Sequence, residues 1–140
     1  MPMKRHGSCL CGAVQYDVTG QPLRMGLCHC LDCQKESGSA FVTFGVWPAD
    51  AFRSSGEVVT YAGRRFCPSC GARVFTDRQG SEAEIRIGSL DGIPEGLLPS
   101  YEVWVKRRQP WLPPLPWADQ FDEDRPPVTT QEQREEGQPL

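Results

Sequence analysis

Seven cysteines in three short clusters constrain this 140-residue chain more than any other feature of its sequence. The clusters read Cys9-Leu10-Cys11, Cys28-His29-Cys30-Leu31-Asp32-Cys33 and Cys67-Pro68-Ser69-Cys70. The first residues include bases but no apolar stretch behind them, so we expect no secretory signal and a reducing cytoplasm. There, clustered cysteines serve as metal ligands or nucleophiles more often than as disulfides, and an odd count argues against a closed disulfide framework.

The C-x-x-C motif of Cys67 and Cys70 predicts one half of a metal site. Two intervening residues allow a single tight turn to aim both sulfurs at one ion, and Gly71 can take the left-handed conformation that such a turn needs. Backbone N–H groups of the turn can then point at the sulfurs. A redox dithiol and a pair of buried thiols are the alternative interpretations of this motif.

Cys9 and Cys11 are the best candidates for the other half of a tetrahedral site. In an extended segment, residues two apart point the same way, so both sulfurs can face one ion. The site would join the N-terminal strand to the distant C-x-x-C turn, and closing so long a loop restricts the unfolded chain strongly. We expect a closed, structural zinc site whose metal binding is coupled to folding.

The remaining trio, Cys28, Cys30 and Cys33, places three thiolates within six residues. Three protein ligands plus one exchangeable position are typical of a catalytic zinc. His29 is an alternative fourth ligand, although it should point away from its two neighbouring sulfurs and act in packing or in support of the ligands. His6 is a second alternative imidazole, and an iron–sulfur cluster is a third interpretation, although clusters usually take four protein ligands.

The rest of the sequence indicates short β-strands separated by glycine-containing turns. Strand-forming residues occupy residues 14–18, 41–47, 58–61, 73–76, 85–89 and 101–105. One helical turn is expected after Cys33, over residues 34–36, with Gly38 as its C-cap. The fold class is therefore all-β with few short helical turns. We expect one domain over residues 1–117 and a disordered, acidic Pro/Glu/Gln-rich tail over residues 118–140, which cannot bury enough apolar surface to order itself.

The sequence resembles the glutathione-dependent formaldehyde-activating enzyme family, which shares its domain with centromere protein V. The resemblance rests on residues 7–16, 28–38, 66–71 and 101–111. It implies a β-tent fold, related to zinc ribbons and built from several small coiled sheets. It also implies two zincs per chain, a structural one on Cys9, Cys11, Cys67 and Cys70 and a catalytic one on Cys28, Cys30 and Cys33.

The activity that the resemblance implies is that of a carbon–sulfur lyase, which joins glutathione and formaldehyde into S-hydroxymethylglutathione. Three thiolates on one Zn²⁺ leave a net negative site, so activation of an incoming thiol is favoured over strong polarisation of a carbonyl. The partner is therefore a small-molecule thiol such as glutathione. Candidate substrate contacts are Lys35, Ser37, Gly38, Arg64 and the basic residues 106–108, for which a solvated surface or a turn is the alternative interpretation.

Composition limits the other function classes. The chain carries a net charge of −3 with 39% apolar residues, and no stretch approaches a membrane span. The alternative function is a non-catalytic zinc module that binds a protein or a nucleic acid, and a third is a thiol-exchange centre without stable metal. Nucleic-acid binding is not expected, because the body is nearly neutral and the acidic tail would repel phosphate or compete for residues 106–108.

Overall fold

The computed structural model describes residues 2–78 and 80–126, with Asp77 and Arg78 described by their backbone alone. These residues form two compact units. The first unit comprises the described residues up to Leu23 and those from Gly45 to Gly96, and the second comprises those from Arg24 to Phe44 and from Leu97 onward. The fold is mostly β, as predicted, with one α-helix and short 3-10 turns among the described residues.

One sheet of the first unit contains three antiparallel strands. They are β1 (Lys4–Ser8), β2 (Gln15–Thr19) and β5 (Phe52–Ser55), with β2 in the middle. Tyr16 and Val18 of β2 are buried, which confirms the predicted alternation in this segment. The Phe52 ring packs against the rings of Tyr16 and Phe75, with centroid distances of 5.7 and 5.0 Å. This aromatic contact forms part of the core of the unit.

Four further strands of the first unit pair in sequence order. They are β6 (Val59–Tyr61), β7 (Arg64–Phe66), β8 (Arg73–Arg78) and β9 (Glu82–Arg86), all antiparallel to their neighbours. Strand β4 (Val42–Pro48) ends in this unit, followed by a 3-10 turn over Ala49–Ala51. Trp47 of β4 is fully buried, and its indole N–H donates to the Gly20 carbonyl at 3.0 Å. The buried indole therefore keeps its one polar atom satisfied.

The second unit contains β3 (Arg24–Cys28), α1 (Leu31–Ser37), β10 (Tyr101–Val103) and β11 (Asp119–Gln120). Strand β10 lies between β3 and β11 and is parallel to both. All three residues of β10 are buried. The helix begins earlier than the predicted turn, at Leu31, and ends at Gly38 in the left-handed conformation, as predicted for a C-cap. No helix among the described residues has the length and apolarity needed to span a bilayer.

Two predicted strands end sooner than their alternating patterns indicate. Strand β9 stops at Arg86, and Ile87–Ser89 form a 3-10 turn. Strand β10 stops at Val103 because Trp104 adopts a left-handed conformation (φ 58°), and Val105–Arg107 form another 3-10 turn. A period of two predicts which face a residue occupies but does not predict where the backbone leaves the extended region.

The start of the acidic tail is ordered against β10. The backbone N–H of Phe121 donates to the Glu102 carbonyl at 2.9 Å, and that of Trp104 donates to the Glu123 carbonyl at 3.0 Å. The Lys106 ammonium also bonds the Glu123 carboxylate. Residues 118–126 therefore contact the body, whereas the remainder of the predicted disordered tail, residues 127–140, lies outside the described residues.

Gly7 permits a close approach in the first unit that no other residue would allow. A Cβ at this position would lie 2.4 Å from the Tyr16 ring and 2.7 Å from the Ser89 carbonyl oxygen. We expect Gly7→Ala to lower the free energy of unfolding by about 1–3 kcal/mol, the usual cost of overpacking. Gly88→Ala is the matched control, because a Cβ there meets nothing within 4 Å. Urea titration of both variants tests this; equal stabilities would contradict it.

Candidate metal centres

Four cysteine sulfurs converge in the first unit. The Sγ atoms of Cys9, Cys11, Cys67 and Cys70 all lie within 4.8 Å of one another. Cys11 Sγ is 3.6 Å from Cys9 Sγ and 3.7 Å from Cys67 Sγ. These separations are too long for a disulfide, but they match the edge of about 3.8 Å that Zn–S bonds of about 2.3 Å produce in a regular tetrahedron. The four residues, which we call the tetrad, therefore fit a zinc ion.

Cys9 and Cys11 reach the tetrad through a turn between β1 and β2, so the extended conformation expected from their spacing is wrong. Gly12 adopts a left-handed φ of 83° and donates its N–H to the Cys9 carbonyl at 3.2 Å. The turn also directs the N–H of Val14 at Cys9 Sγ, at 3.2 Å. A tight turn, rather than strand geometry, thus aims the two sulfurs the same way.

Cys67 and Cys70 lie in a second turn of the same kind, between β7 and β8. Gly71 has a left-handed φ of 76° and donates to the Cys67 carbonyl at 2.8 Å. The N–H of Ser69 donates to Cys67 Sγ at 3.3 Å. This agrees with the turn predicted for the C-x-x-C motif. Both halves of the tetrad therefore direct backbone donors at sulfur, as thiolate ligands require.

The thiols of the tetrad differ in how readily they ionise. Backbone N–H groups of Ala72 and Cys11 lower the pKa of Cys70 to about 6. The N–H of Ala13 acts in the same direction on Cys11, but hydrogen bonds with the neighbouring thiols outweigh it and raise the pKa of Cys11 to about 11. Thiols this close oppose each other's ionisation, so a divalent cation is the group that would allow all four to act as thiolates.

Three further sulfurs converge in the second unit. Cys28 ends β3, Cys30 is the N-cap of α1, and Cys33 lies in the first helical turn. Their Sγ atoms lie within 4.8 Å of one another, and the N–H of Cys33 donates to Cys30 Sγ at 3.2 Å. Cys33 is buried, whereas Cys28 and Cys30 are half-buried. Burial and the hydrogen bond with the Cys33 thiol raise the pKa of the Cys30 thiol, and they outweigh the Cys33 backbone N–H, which lowers it. We call these residues the triad.

The triad has no fourth side-chain ligand in the described part of the chain: no other His, Cys, Asp or Glu joins the three sulfurs at this spacing. His29 points elsewhere, as its position between Cys28 and Cys30 predicts. It is fully buried, and its Nε2–H donates to Glu102 Oε1 at 2.7 Å. His6 is also apart from both centres and bonds Asp17 at 2.8 Å on the exposed surface. Neither imidazole therefore completes a metal site here.

Glu102 is the residue of this region that sequence reasoning missed. It is only 1% exposed, although a glutamate in an alternating strand normally marks the solvent face. Burial acts against its ionisation, but hydrogen bonds from Gln120, Leu115 and His29 and the charge of Arg108 together lower the pKa of Glu102. The sequence carries no local signal for this burial, because the groups that bond the carboxylate, among them His29 and Gln120, do not adjoin Glu102 in the sequence.

The candidate substrate contacts are divided between the two units. Lys35, Ser37 and Gly38 belong to α1 and its C-cap, in the unit that holds the triad. The Ser37 hydroxyl donates to the Cys33 carbonyl at 2.7 Å and accepts from the Ser39 N–H at 3.1 Å, which is a structural role at the helix end. Arg64 lies in β7 of the first unit and donates to the Ala62 carbonyl at 3.4 Å.

The basic residues 106–108 are partly neutralised by acidic neighbours. Lys106 bonds the carboxylate of Glu123, an acidic residue of the segment after Trp117. The Arg108 guanidinium lies 3.3 Å from the buried carboxylate of Glu102. With two of three charges paired, the cluster offers little free positive charge for phosphate.

Loss of the tetrad should unfold the first unit. We expect Cys67→Ser to bind one zinc fewer and to lose more than about 4 kcal/mol of unfolding free energy, a range that single changes reach when they remove a metal site. Ser69→Ala is the matched control in the same turn, because the side chain of Ser69 is exposed and only its backbone bonds Cys67. Metal analysis and guanidinium unfolding measure both effects; wild-type stability of Cys67→Ser would contradict a structural role.

Comparisons with known proteins support this description. A family model described as glutathione-dependent formaldehyde-activating enzyme matches residues 4–107, a segment that contains both the tetrad and the triad. No curated protein shows significant similarity to the chain. Among solved structures, the crystal structure of a Rhodobacter sphaeroides protein is similar with a TM-score of 0.50 and 21% identity, over 69% of this chain and 98% of that one. At that identity the likeness supports the fold alone.

Proposed function

The chain belongs to the glutathione-dependent formaldehyde-activating enzyme family, and from that membership we propose that it is a zinc-dependent carbon–sulfur lyase. Its substrates are a thiol of the glutathione type and a small aldehyde such as formaldehyde, and its product is an S-hydroxymethyl thiol. In this proposal the tetrad holds a structural zinc and the triad holds a catalytic one. The reaction takes place in a reducing cytoplasm, where glutathione is abundant.

The observation that carries this proposal is the difference in ligand number between the two centres. The tetrad supplies four sulfurs and saturates a tetrahedral ion, whereas the triad supplies three. Three protein ligands with one remaining position are the usual arrangement of a catalytic zinc. The half-burial of Cys28 and Cys30 also leaves this centre accessible to a small molecule.

Zinc bound by Cys28, Cys30 and Cys33 would favour the thiolate form of an incoming thiol. In the reaction the thiol loses its proton and its sulfur bonds the aldehyde carbon. The π electron pair of the carbonyl moves to the oxygen, which takes one proton and becomes the hydroxyl of the product. The three cysteines also make the centre net negative, which disfavours a role in polarising the carbonyl. Their contribution is to hold the reacting sulfur at a defined position, so that the aldehyde meets it in one orientation.

Lys35 is the candidate residue for the carboxylates of the thiol substrate. It is exposed on α1, two residues after Cys33, and therefore on the helix that carries part of the triad. An ammonium group at this position can attract an acidic thiol without a fixed partner geometry. The hydroxyl of Ser37 and the backbone of Gly38 complete the helix end and are weaker candidates.

One substitution should remove the metal of the triad and leave the metal of the tetrad in place. We expect wild-type protein to bind two zincs, one of them labile to millimolar glutathione, and Cys30→Ser to bind one zinc and remain folded. The variant should lose the acceleration of exchange between formaldehyde and S-hydroxymethylglutathione, because its reacting centre lacks a ligand. Metal analysis and the exchange rate of ¹³C-labelled formaldehyde by NMR provide the two measurements.

Leu31→Ala is the matched control, because Leu31 adjoins Cys30 but exposes 57% of its surface. It should keep both zincs and the wild-type exchange rate. A wild-type protein with a single zinc and three titratable thiols would contradict the catalytic metal. Two zincs inert to glutathione, without any acceleration of exchange, would favour a non-catalytic zinc module instead.

A further inference from the structure

The buried carboxylate of Glu102 collects bonds from four parts of the second unit. Its Oε1 accepts from His29 Nε2–H at 2.7 Å. Its Oε2 accepts from the N–H of Leu115 at 2.8 Å and from Gln120 Nε2 at 2.7 Å, and the Arg108 guanidinium lies 3.3 Å away. A buried charge is tolerated only when its oxygens are satisfied in this way. The carboxylate therefore fixes the positions of all four partners.

His29 transmits this constraint to the triad. Its backbone N–H donates to the Val103 carbonyl at 3.1 Å, its carbonyl accepts from Gln34 Nε2 at 2.7 Å, and its ring lies 5.7 Å from the Phe41 ring. The backbone of His29 connects Cys28 directly to Cys30. With the ring held by Glu102 and the backbone held on both sides, the two flanking cysteines have little freedom to move apart.

Three of the four partners of Glu102 lie beyond the segment that matches the family model. That match ends at residue 107, whereas Arg108, Leu115 and Gln120 follow it. Gln120 lies in β11, which pairs with β10 beside Glu102, and the Arg108 side chain also bonds the Gln120 amide. The segment from residue 115 to residue 120 thus supplies two of the donors that keep the carboxylate satisfied.

We propose that Glu102 is a positioning residue for the triad: it holds His29, and through it the backbone between Cys28 and Cys30, while Leu115 and Gln120 hold Glu102. This rests on the proposed function in one respect, that the triad binds a metal. Groups that hydrogen-bond directly to metal ligands usually change metal affinity by about 10–100-fold when they are altered, and Glu102 acts one step further out, through the backbone of His29. The carboxylate acts through His29 and does not touch the metal or the substrate.

Glu102→Gln tests the role of the carboxylate at nearly constant size. If the new amide N–H₂ group faces Leu115 and Gln120, it meets other donors. If it faces His29, the imidazole proton must move to Nδ1, a buried atom without a hydrogen-bond partner. We expect zinc to leave the triad about 10-fold faster, the lower end of the range for direct partners of metal ligands, and the tetrad to be unaffected. Glu123→Gln is the matched control, because Glu123 is exposed and pairs with Lys106; it should release both zincs at wild-type rates.

The measurement uses the full chain with both zincs and a colorimetric chelator. The chelator removes the two zincs in two kinetic phases, one from each centre. The phase that is absent in Cys30→Ser belongs to the triad. The visible spectrum of Co²⁺ bound at the triad gives a second readout that does not depend on activity or on global stability. It should change in Glu102→Gln and stay unchanged in Glu123→Gln.

Gln120→Leu gives an independent, milder test, since it removes one donor to Glu102 and retains the carboxylate. We expect zinc to leave the triad faster than in the wild-type protein, but by a smaller factor than in Glu102→Gln. A wild-type triad phase in both Glu102→Gln and Gln120→Leu would overturn the positioning role, and so would a wild-type phase in Gln120→Leu if Glu102→Gln does not fold. A wild-type protein with one zinc would instead contradict the proposed function, so the two failures are distinguishable.

Discussion

The convergence of four sulfurs from two distant turns is the constraint on which the first unit depends. Cys11 and Cys67 are 56 residues apart, yet their sulfurs lie 3.7 Å from each other. The strands of this unit are short, from three to six residues outside β4, so each pairing contributes few hydrogen bonds. A metal that joined the β1–β2 turn to the β7–β8 turn would close this long loop, and a cross-link over so long a loop restricts the unfolded chain strongly.

The cysteine sulfurs of the second unit are brought together in a different way. Here the ligands lie within six residues, so their sulfurs are brought together by local backbone geometry and need no distant partner. The long-range order comes instead from the pairing of β10 with β3 and β11, and from the Glu102 carboxylate, which bonds His29 directly after β3 and Gln120 in β11. A centre built this way can leave one coordination position free without weakening the fold, because the metal is not what joins its strands.

How much the sequence predicts follows from how local each feature is. The turn at Cys67 and Cys70, the C-cap at Gly38 and the outward direction of His29 depend on a few adjacent residues, and the structure agrees with them. The turn at Cys9 and Cys11 was misjudged because C-x-C spacing suits either a strand or a turn. Glu102 was missed because its carboxylate is enclosed by His29, Leu115 and Gln120, none of which adjoins it in sequence. A sequence pattern of period two shows which residues share a face of a strand, but it does not show which face other parts of the protein cover.

The charges around the triad distinguish a thiol-handling centre from a nucleic-acid module on physical grounds. Phosphate binding requires unpaired positive charge, but Lys106 bonds Glu123 and Arg108 lies against the buried Glu102 carboxylate. Three thiolates on one divalent ion add negative charge at the same unit, which would further repel a polyanion. A small thiol carries far less negative charge than a nucleic acid, and a metal held by the triad would offer it one half-exposed coordination position. The ligand set itself therefore favours a small thiol over a phosphate backbone as the partner of this centre.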